Sequence, residues 1–190
     1  MRVATSVGLA LVFALAVSAR AAELKSGPQK GEEIGAYEVV KVAGNPHDGV
    51  KVGEELCYRC KLGNRPMVMV FARKSDKNLA KLIQDLDKVV SKNEEKKLGA
   101  FVALIGTKDE AKSKAIAEKL IKETEASNIA VVAAKDQPNG PESYKLDPKA
   151  DVTVLICVKG EVAANHALSA SDLNEKTAKL IIADTAKILN

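Results

Sequence analysis

The sequence predicts an α/β fold whose central, mixed sheet is flanked by helices. Three apolar runs of strand length alternate with segments of helical periodicity: "PMVMVFA" (66–72), "AFVALI" (100–105) and "IAVVAA" (129–134). Strands that alternate with helices are joined by crossover connections and form a largely parallel sheet covered on both faces. The segment "DVTVLICVKGEVAANHAL" (151–168) has the pattern of a hairpin that turns at Lys159-Gly160, which adds antiparallel strands.

The first helix of this alternation has a recognisable beginning and an apolar stripe. Ser75 or Asp76 can cap a helix that continues to about Lys92. Its apolar residues fall at helical spacing, so this side is expected to pack on the sheet. They are Leu79, Leu82, Ile83, Leu86, Val89 and Val90.

A second and a last helix are predicted on the same grounds. Thr107 and Glu110 stand three residues apart, which is the spacing of a capping box at a helix start. The last helix is expected to begin near Ser171. Apolar stripes are predicted at Ala115, Ile116, Leu120 and Ile121 in the second helix and at Leu173, Leu180, Ile181, Ile188 and Leu189 in the last.

The first 21 residues have the features of a secretory signal peptide. Arg2 supplies the positive start, residues 3–18 form an uncharged and largely apolar run, and Ala19-Arg20-Ala21 provides a small-x-small cleavage site. The apolar run is shorter than the roughly 20 residues of a membrane span, which argues against an uncleaved anchor. We therefore predict an exported protein, periplasmic or secreted, without stable membrane insertion after cleavage.

After the signal peptide (1–21), the chain is predicted to form one domain. Residues 22–35 are polar and contain glycine, which predicts an irregular leader, and residues 36–190 form the domain itself. Within it, a strand pattern at 36–44 and a short "VKV" at 50–52 flank the turn-rich "NPHDG". This order predicts a β-hairpin ahead of the main fold.

The charge pattern argues against a nucleic-acid partner. The formal net charge of +4 falls to +2 once Arg2 and Arg20 leave with the signal peptide. The lysines interleave with acidic residues, as in "DEAKSKAIAEKLIKETE", which is typical of a solvated helix face. The chain contains no P-loop, dinucleotide fingerprint, nucleophile elbow or HExxH motif, so no cofactor is predicted. The expected partner is another protein.

The residues with the clearest chemical meaning are Cys57 and Cys60, in a stretch (53–65) that reads as a loop or a single helical turn. Two intervening residues let one thiol attack a mixed disulfide formed at the other. Arg59 and Lys61 are cations of the kind that favours the reactive thiolate. In an exported protein the pair is expected to be oxidised. The same spacing also suits a structural disulfide or, with further ligands, a metal site.

Several stretches resemble the thioredoxin-like family, near its peroxiredoxin and redoxin branch. "NRPMVMVFAR" (64–73) resembles the family's Pro-led strand before the active-site helix. "VVAAKDQPNGPESYKL" (131–146) resembles the segment where redoxins carry an Asp and a later Tyr, and residues 151–168 resemble their final hairpin. The resemblance covers roughly residues 30–190. It implies a thioredoxin-like fold and chemistry between thiols and disulfides.

The chain departs from this family at the family's usual active site. Asp76 and Leu79 stand near the positions where the family holds its two cysteines, and Asp151 stands near its cis-proline, which shapes the substrate groove. A peroxiredoxin would need its reactive cysteine near residues 74–78, and this stretch contains none, so peroxidase activity is not expected. The resemblance therefore carries over no catalytic residue.

Two functions of different class remain open from the sequence. The first is thiol–disulfide exchange, with Cys57 as the more exposed nucleophile, Cys60 as the resolving thiol and Arg59 stabilising the thiolate. The second is a non-catalytic binding module whose Cys57–Cys60 disulfide only staples a loop. A copper-handling protein is a third alternative, for which the possible ligands are Cys57, Cys60, Cys157, His47, His166, Met67 and Met69.

Strand geometry predicts where Cys157 lies. In a thioredoxin-type sheet the strand at 66–72 pairs with the antiparallel strand at 152–158. Cys57 and Cys60 precede the first of these strands, and Cys157 comes near the end of the second, so all three cysteines are expected at one end of the sheet. The alternative for Cys157 is that of a small apolar residue in the core.

Overall fold

The computed structural model describes residues 24–134 and 138–189 of the 190-residue chain. The predicted signal peptide (1–21) therefore lies outside the described residues. Within the described part, no helix is both long enough and apolar enough to span a membrane.

The strands form one seven-stranded mixed sheet, in the order β2-β1-β5-β4-β3-β6-β7. The three central strands β3, β4 and β5 run parallel, and all other neighbours pair antiparallel. The predicted central mixed sheet is confirmed. The strands are β1 (Val39–Gly44), β2 (Glu55–Leu56), β3 (Met67–Ala72), β4 (Gly99–Leu104), β5 (Ala130–Ala133), β6 (Val152–Val158) and β7 (Glu161–Leu168).

Four α-helices accompany the sheet in the described part of the chain: α1 (Tyr58–Leu62), α2 (Lys77–Lys92), α3 (Glu110–Thr124) and α4 (Glu175–Asp184). Two short 3₁₀ turns follow at Glu142–Tyr144 and Thr185–Ile188. The cap of α2 is the predicted one, because the Asp76 carboxylate accepts hydrogen bonds from the amides of Asn78 and Leu79, each at 2.9 Å.

Each face of the sheet carries its own apolar core. Along β3, Val68, Val70 and Ala72 face the core that α2, α3 and α4 cover. Met67, Met69 and Phe71 alternate with them and face the second core, which α1, the segment before β1 and the loop after β5 cover. Met67 and Met69 are fully buried there, as a core position requires.

The predicted start of α3 is wrong, whereas its predicted stripe is confirmed for Leu120, which is buried, and for Ile116 and Ile121, which pack against the core. Asp109, and not Thr107, is the N-cap, since its carboxylate accepts the amide hydrogen of Lys112 at 3.0 Å. Ala115 is consequently exposed. The buried face consists of Ser113, Ala117, Leu120 and Thr124, and all of these except Leu120 are small, which lets α3 approach β1 and β5 closely.

The last helix begins later than predicted. Asn174 replaces Ser171 as the N-cap and forms a capping box with Thr177. Leu180 then points away from the core: 53% of the surface of this residue is exposed, so Leu180 does not belong to the apolar stripe. Leu173, Ile181 and Ile188 are buried as predicted.

A hairpin does precede the main fold, but its second strand is Glu55–Leu56 and not residues 50–52. The carbonyl of Val50 accepts a hydrogen bond from the Lys41 ammonium at 2.8 Å, which holds this segment beneath β1 and away from strand pairing. The hairpin joins the sheet because β1 also pairs with β5.

The segment before β1 is hydrogen-bonded along the outer strand of the sheet. The amide of Gly31 donates to the carbonyl of Val162, and that of Ile34 donates to the carbonyl of Gly160, both at 2.9 Å. The hydroxyls of Ser26 and Thr153 lie 2.7 Å apart. The backbone contacts of Gly31 and Glu32 with Val162 cover part of the β7 edge, which would otherwise offer unpaired backbone groups to another chain.

Two glycines of the hairpin region allow a matched test of how closely β1 packs against β5. Gly44 and Gly49 have positive φ angles of 76° and 75°, but a Cβ on Gly44 would lie 2.2 Å from the Ile129 carbonyl oxygen, whereas a Cβ on Gly49 would meet nothing within 4 Å. Gly49→Ala is expected to lower the free energy of unfolding by about 1 kcal/mol. Gly44→Ala is expected to cost at least about 2 kcal/mol more, because the backbone of β1 must move away from β5. Urea denaturation measures both, and equal losses would contradict the described contact.

Candidate functional site

Cys57 and Cys60 form a disulfide at the amino-terminal end of the central strands. Their Cα atoms lie 5.2 Å apart. Cys57 is the N-cap of α1, and its Sγ accepts the amide hydrogen of Cys60 at 3.0 Å. Cys60 is exposed and Cys57 is half-buried, so the prediction that Cys57 is the more exposed of the two is wrong. The turn of α1 withdraws Cys57 partly from solvent while leaving the disulfide at the surface.

The short helix α1 is seated tightly on the sheet. Gly99 begins β4, and a Cβ there would come within 2.5 Å of Leu62 on α1. The Tyr58 ring is buried and lies 5.5 Å from the Phe101 ring, measured between centroids. A five-residue helix cannot be stable alone. These contacts therefore fix the position of the disulfide relative to the sheet.

A buried ion pair supports α1 from below. The Lys41 ammonium, on a side chain only 1% exposed, lies 2.7 Å from the Asp48 carboxylate and donates to the carbonyls of Asn45 and Val50 at 2.6 and 2.8 Å. The Tyr58 hydroxyl donates to the other Asp48 oxygen at 2.6 Å. These hydrogen bonds connect Lys41 on β1, through Asp48, to Tyr58, the residue that follows Cys57.

The titration of this group reflects its partners. Burial raises the pKa of the Asp48 carboxyl, but the hydrogen bonds from Lys41, Tyr58 and the Val50 amide outweigh burial and hold the pKa below its usual value. Burial and the adjacent carboxylate raise the pKa of Tyr58 well above its usual value. At neutral pH the Asp48 carboxylate is therefore ionised and the Tyr58 hydroxyl is a donor.

Sequence reasoning missed Lys41 and Asp48, although a signal was present. Every second residue of β1 is buried, namely Val39, Lys41 and Ala43. A lysine at an inward strand position needs a buried partner of opposite charge. The nearest carboxylate in the following turn is that of Asp48.

Arg59 lies between the disulfide and the β6–β7 turn. Its Nε donates to the carbonyl of Ile34 at 3.2 Å, and its guanidinium lies against Gly160. Its charge also acts on Cys157, whose thiol pKa burial raises to about 12 in spite of this cation. Whether Arg59 stabilises a thiolate at Cys57 stays a prediction.

Cys157 lies on β6 directly opposite Met67, the first residue of β3. The strand register thus confirms that Cys157 reaches the end of the sheet that α1 covers. Cys157 is fully buried and forms no disulfide, so it is the small core residue of the alternative prediction.

The burial of Cys157 has a consequence for thiol counting. After reduction, Cys57 and Cys60 are expected to react with iodoacetamide at pH 8, whereas Cys157 should react only in denaturant, because its thiol is both buried and protonated. Mass spectrometry of the alkylated native and denatured protein counts the labels. Three labels on the folded protein would contradict the buried position.

The positions of the family's usual site hold polar contacts and no cysteine. Asp76 caps α2, and Leu79 is buried beneath it. The Asp151 carboxylate accepts the amide hydrogen of Ala170 at 2.9 Å and lies 3.2 Å from the Lys74 ammonium. All peptide bonds of the described residues are trans. This end therefore has neither the thiols nor the cis bond of the family.

The metal alternative gains no support from side-chain positions. Among the described residues, no three His, Cys, Asp or Glu side chains are grouped so that they could hold an ion. The His166 Nε2 lies 3.0 Å from the Asp184 carboxylate, and His47 is exposed in the turn after β1. The sulfurs of Cys57 and Cys60 are joined to each other.

Comparison with known proteins defines the fold. No sequence profile of a known protein family matches the chain, and no curated protein sequence does so either. A candidate protein disulfide isomerase from Bacteroides thetaiotaomicron is similar in structure, with a TM-score of 0.63 and 11% identity over 87% of this chain and 94% of that one. A candidate thiol:disulfide interchange protein, DsbE, from Chlorobium tepidum has a TM-score of 0.56 and 13% identity, over 83% and 99% of the two chains.

A third similar structure is the thioredoxin domain of a thiol-disulfide oxidoreductase from Bacteroides vulgatus. Its TM-score is 0.54 and its identity 15%, over 80% of this chain and 97% of that one. Identities this low establish the fold and leave the activity to be argued from the site. The chain therefore has a thioredoxin-like fold, and it carries a Cys-x-x-Cys disulfide at the amino-terminal end of its central strands.

Proposed function

We propose that the protein exchanges thiols and disulfides through Cys57 and Cys60. The observation that carries this proposal is the disulfide itself, which lies at the surface on a helical turn that the sheet holds in place. The similar structures include proteins described as disulfide isomerase, interchange protein and oxidoreductase. The reacting pair stands at the end of the sheet opposite the family's usual site.

The reaction needs no group other than the two cysteines and a substrate. The reduced Cys57 thiolate attacks one sulfur of a substrate disulfide, forms a mixed disulfide and releases the other substrate sulfur as a thiolate, which takes a proton from water. The Cys60 thiolate then attacks the Cys57 sulfur, which closes the Cys57–Cys60 disulfide and releases the second substrate thiol. Two electrons pass from the protein to the substrate, and the reverse sequence oxidises a dithiol substrate.

The hydrogen bond at the start of α1 supports Cys57 as the attacking residue. The amide of Cys60 donates to the Cys57 sulfur at 3.0 Å, and a donor in this position stabilises negative charge on that sulfur. Arg59 supplies a cation anchored at the Ile34 carbonyl on the same end of the sheet.

We also propose that the protein acts outside the cytoplasm, in a periplasm or after secretion. The support is the sequence of residues 1–21, with its positive start, apolar run and small-x-small site. An oxidising compartment is where an exposed pair of cysteines is found as a disulfide.

The exchange of the reduced protein with oxidised glutathione tests the proposal. The matched control is a synthetic peptide of residues 53–65, which has the same four residues from Cys57 to Cys60 without the fold. The protein is expected to react at least about tenfold faster, the equivalent of one hydrogen bond to a charged sulfur. A reduced protein that reacts more slowly than the peptide would show that the fold shields the two thiols, and the exchange function would be wrong.

A further inference from the structure

A cleft of about 620 Å³ is lined on one side by α1, the helix that begins at the disulfide. Tyr58 and Lys61 line it, and each directly follows one of the two cysteines. Since consecutive Cα atoms are about 3.8 Å apart, this α1 cleft has residues next to both cysteine positions in its wall, although the cysteines themselves do not line it.

The floor of the α1 cleft is apolar. Leu62, Leu98 and Ala100 line it, and they come from α1, the loop after α2 and the start of β4. Its volume falls in the range of roughly 300–1,000 Å³ that protein sites for small ligands and peptide side chains occupy. An apolar side chain next to a substrate cysteine would fit on this floor.

The rim of the α1 cleft is cationic. Lys61, Arg65 and Lys97 line it, all three are exposed, and none of them forms an ion pair within the part of the chain that the structure describes. Two donors of the Arg65 guanidinium bind the carbonyls of Leu62 and Lys61 at 3.0 and 3.2 Å, which fixes this cation at the end of α1.

The acidic residues of the lining do not cancel this charge. Asp48 lines the cleft, but Lys41 and Tyr58 already occupy its two carboxylate oxygens. Glu94 remains as the other carboxylate among the described lining residues. Three cations thus face one available anion, and the cleft presents a net positive charge to a ligand.

We propose that the α1 cleft binds an acidic polypeptide segment next to the reactive cysteine of a protein substrate. Carboxylates of that segment pair with Lys61, Arg65 and Lys97, and an apolar side chain lies on the floor. This inference rests on the exchange function and names its substrate class. The cleft lets the protein select among cysteines by the charge of their neighbours.

Three synthetic peptides test the inference. Each contains one cysteine joined to 2-thiopyridine as a mixed disulfide, and the flanking residues are glutamate, glutamine or lysine. The reduced protein attacks the peptide sulfur, and the released 2-thiopyridone is followed by its absorbance. The glutamate peptide is expected to react fastest, with about a fivefold gain for each carboxylate that reaches a cation, and this gain should fall at high salt.

Charge-reversal variants test whether the cations of the α1 cleft cause the preference for the glutamate peptide. Arg65→Glu and Lys97→Glu together should remove the preference for the glutamate peptide. Lys112→Glu is the control, because Lys112 is exposed in the first turn of α3, at the opposite end of the sheet. Equal rates for the three peptides, or a preference that survives the double substitution, would overturn the acidic-segment proposal and leave exchange intact. Absence of thiopyridone release with every peptide would overturn exchange itself, and the cleft proposal with it.

Discussion

Replacing Cys60 by serine is expected to trap the protein as a mixed disulfide with its substrate. Cys57 keeps the amide donor of residue 60 and attacks, but no second thiol is left to release the adduct. The reduced Cys60→Ser protein, mixed with a peptide disulfide, should therefore gain the mass of one peptide thiol. Intact-mass spectrometry before and after addition of dithiothreitol shows both the adduct and its reversal.

The converse variant, Cys57→Ser, tests which of the two cysteines attacks the substrate. The remaining Cys60 thiol lacks the hydrogen bond at the helix start, so its adduct should form at least about tenfold more slowly. The buried Cys157 serves as the control, because Cys157→Ala should change neither rate. Faster adduct formation by Cys57→Ser than by Cys60→Ser would reverse the two roles. No adduct with either variant would exclude exchange at this site.

Removing the carboxylate of Asp48 is expected to cost about 3–5 kcal/mol of the free energy of unfolding. Asp48→Ala leaves the Lys41 ammonium, 1% exposed, without a negative partner, and it also removes the acceptor of the Tyr58 hydroxyl. Urea denaturation gives the loss. Asp85→Ala is the control, because Asp85 pairs with the exposed Lys81 and should cost less than about 1 kcal/mol. Equal losses would contradict the buried pair.

The stabilisation from Asp48 should depend on pH in one direction. The pKa of its carboxyl is lower in the folded protein than its usual value, so the stabilisation is fully present above a pH of about 4 and is lost as the pH falls through the folded pKa. The difference in unfolding free energy between the wild type and Asp48→Asn should therefore shrink below about pH 4. A difference that grows in acid would contradict the direction of the shift.

The alternation of strands and helices could be predicted from the sequence because each element carries its own signal. β3 is apolar on both faces, and Asp76 caps the following helix as expected. The boundaries of α3 and α4 could not be predicted as well. Thr107 and Asp109 are both residue types that cap helices, and in the structure Asp109 is the one whose carboxylate accepts an amide hydrogen of the first turn.

The candidate site shows a different limit of sequence reasoning. The pairing of Cys57 with Cys60 follows from their spacing, and the position of Cys157 follows from strand direction. The exposure of the two paired cysteines depends on how α1 turns over the sheet, which no local pattern contains. The α1 cleft joins residues from distant parts of the chain, such as Lys61 and Lys97, so only the fold brings its cations together.

The reduction potential of the Cys57–Cys60 pair tests the exchange function most directly. The protein is equilibrated in glutathione and dithiothreitol buffers of known potential, quenched by alkylation, and analysed by mass spectrometry for the reduced fraction. A potential between about −120 and −270 mV, the span of proteins that exchange disulfides, is the predicted result. A disulfide that stays closed below about −300 mV is typical of a structural bond and would contradict the proposed function.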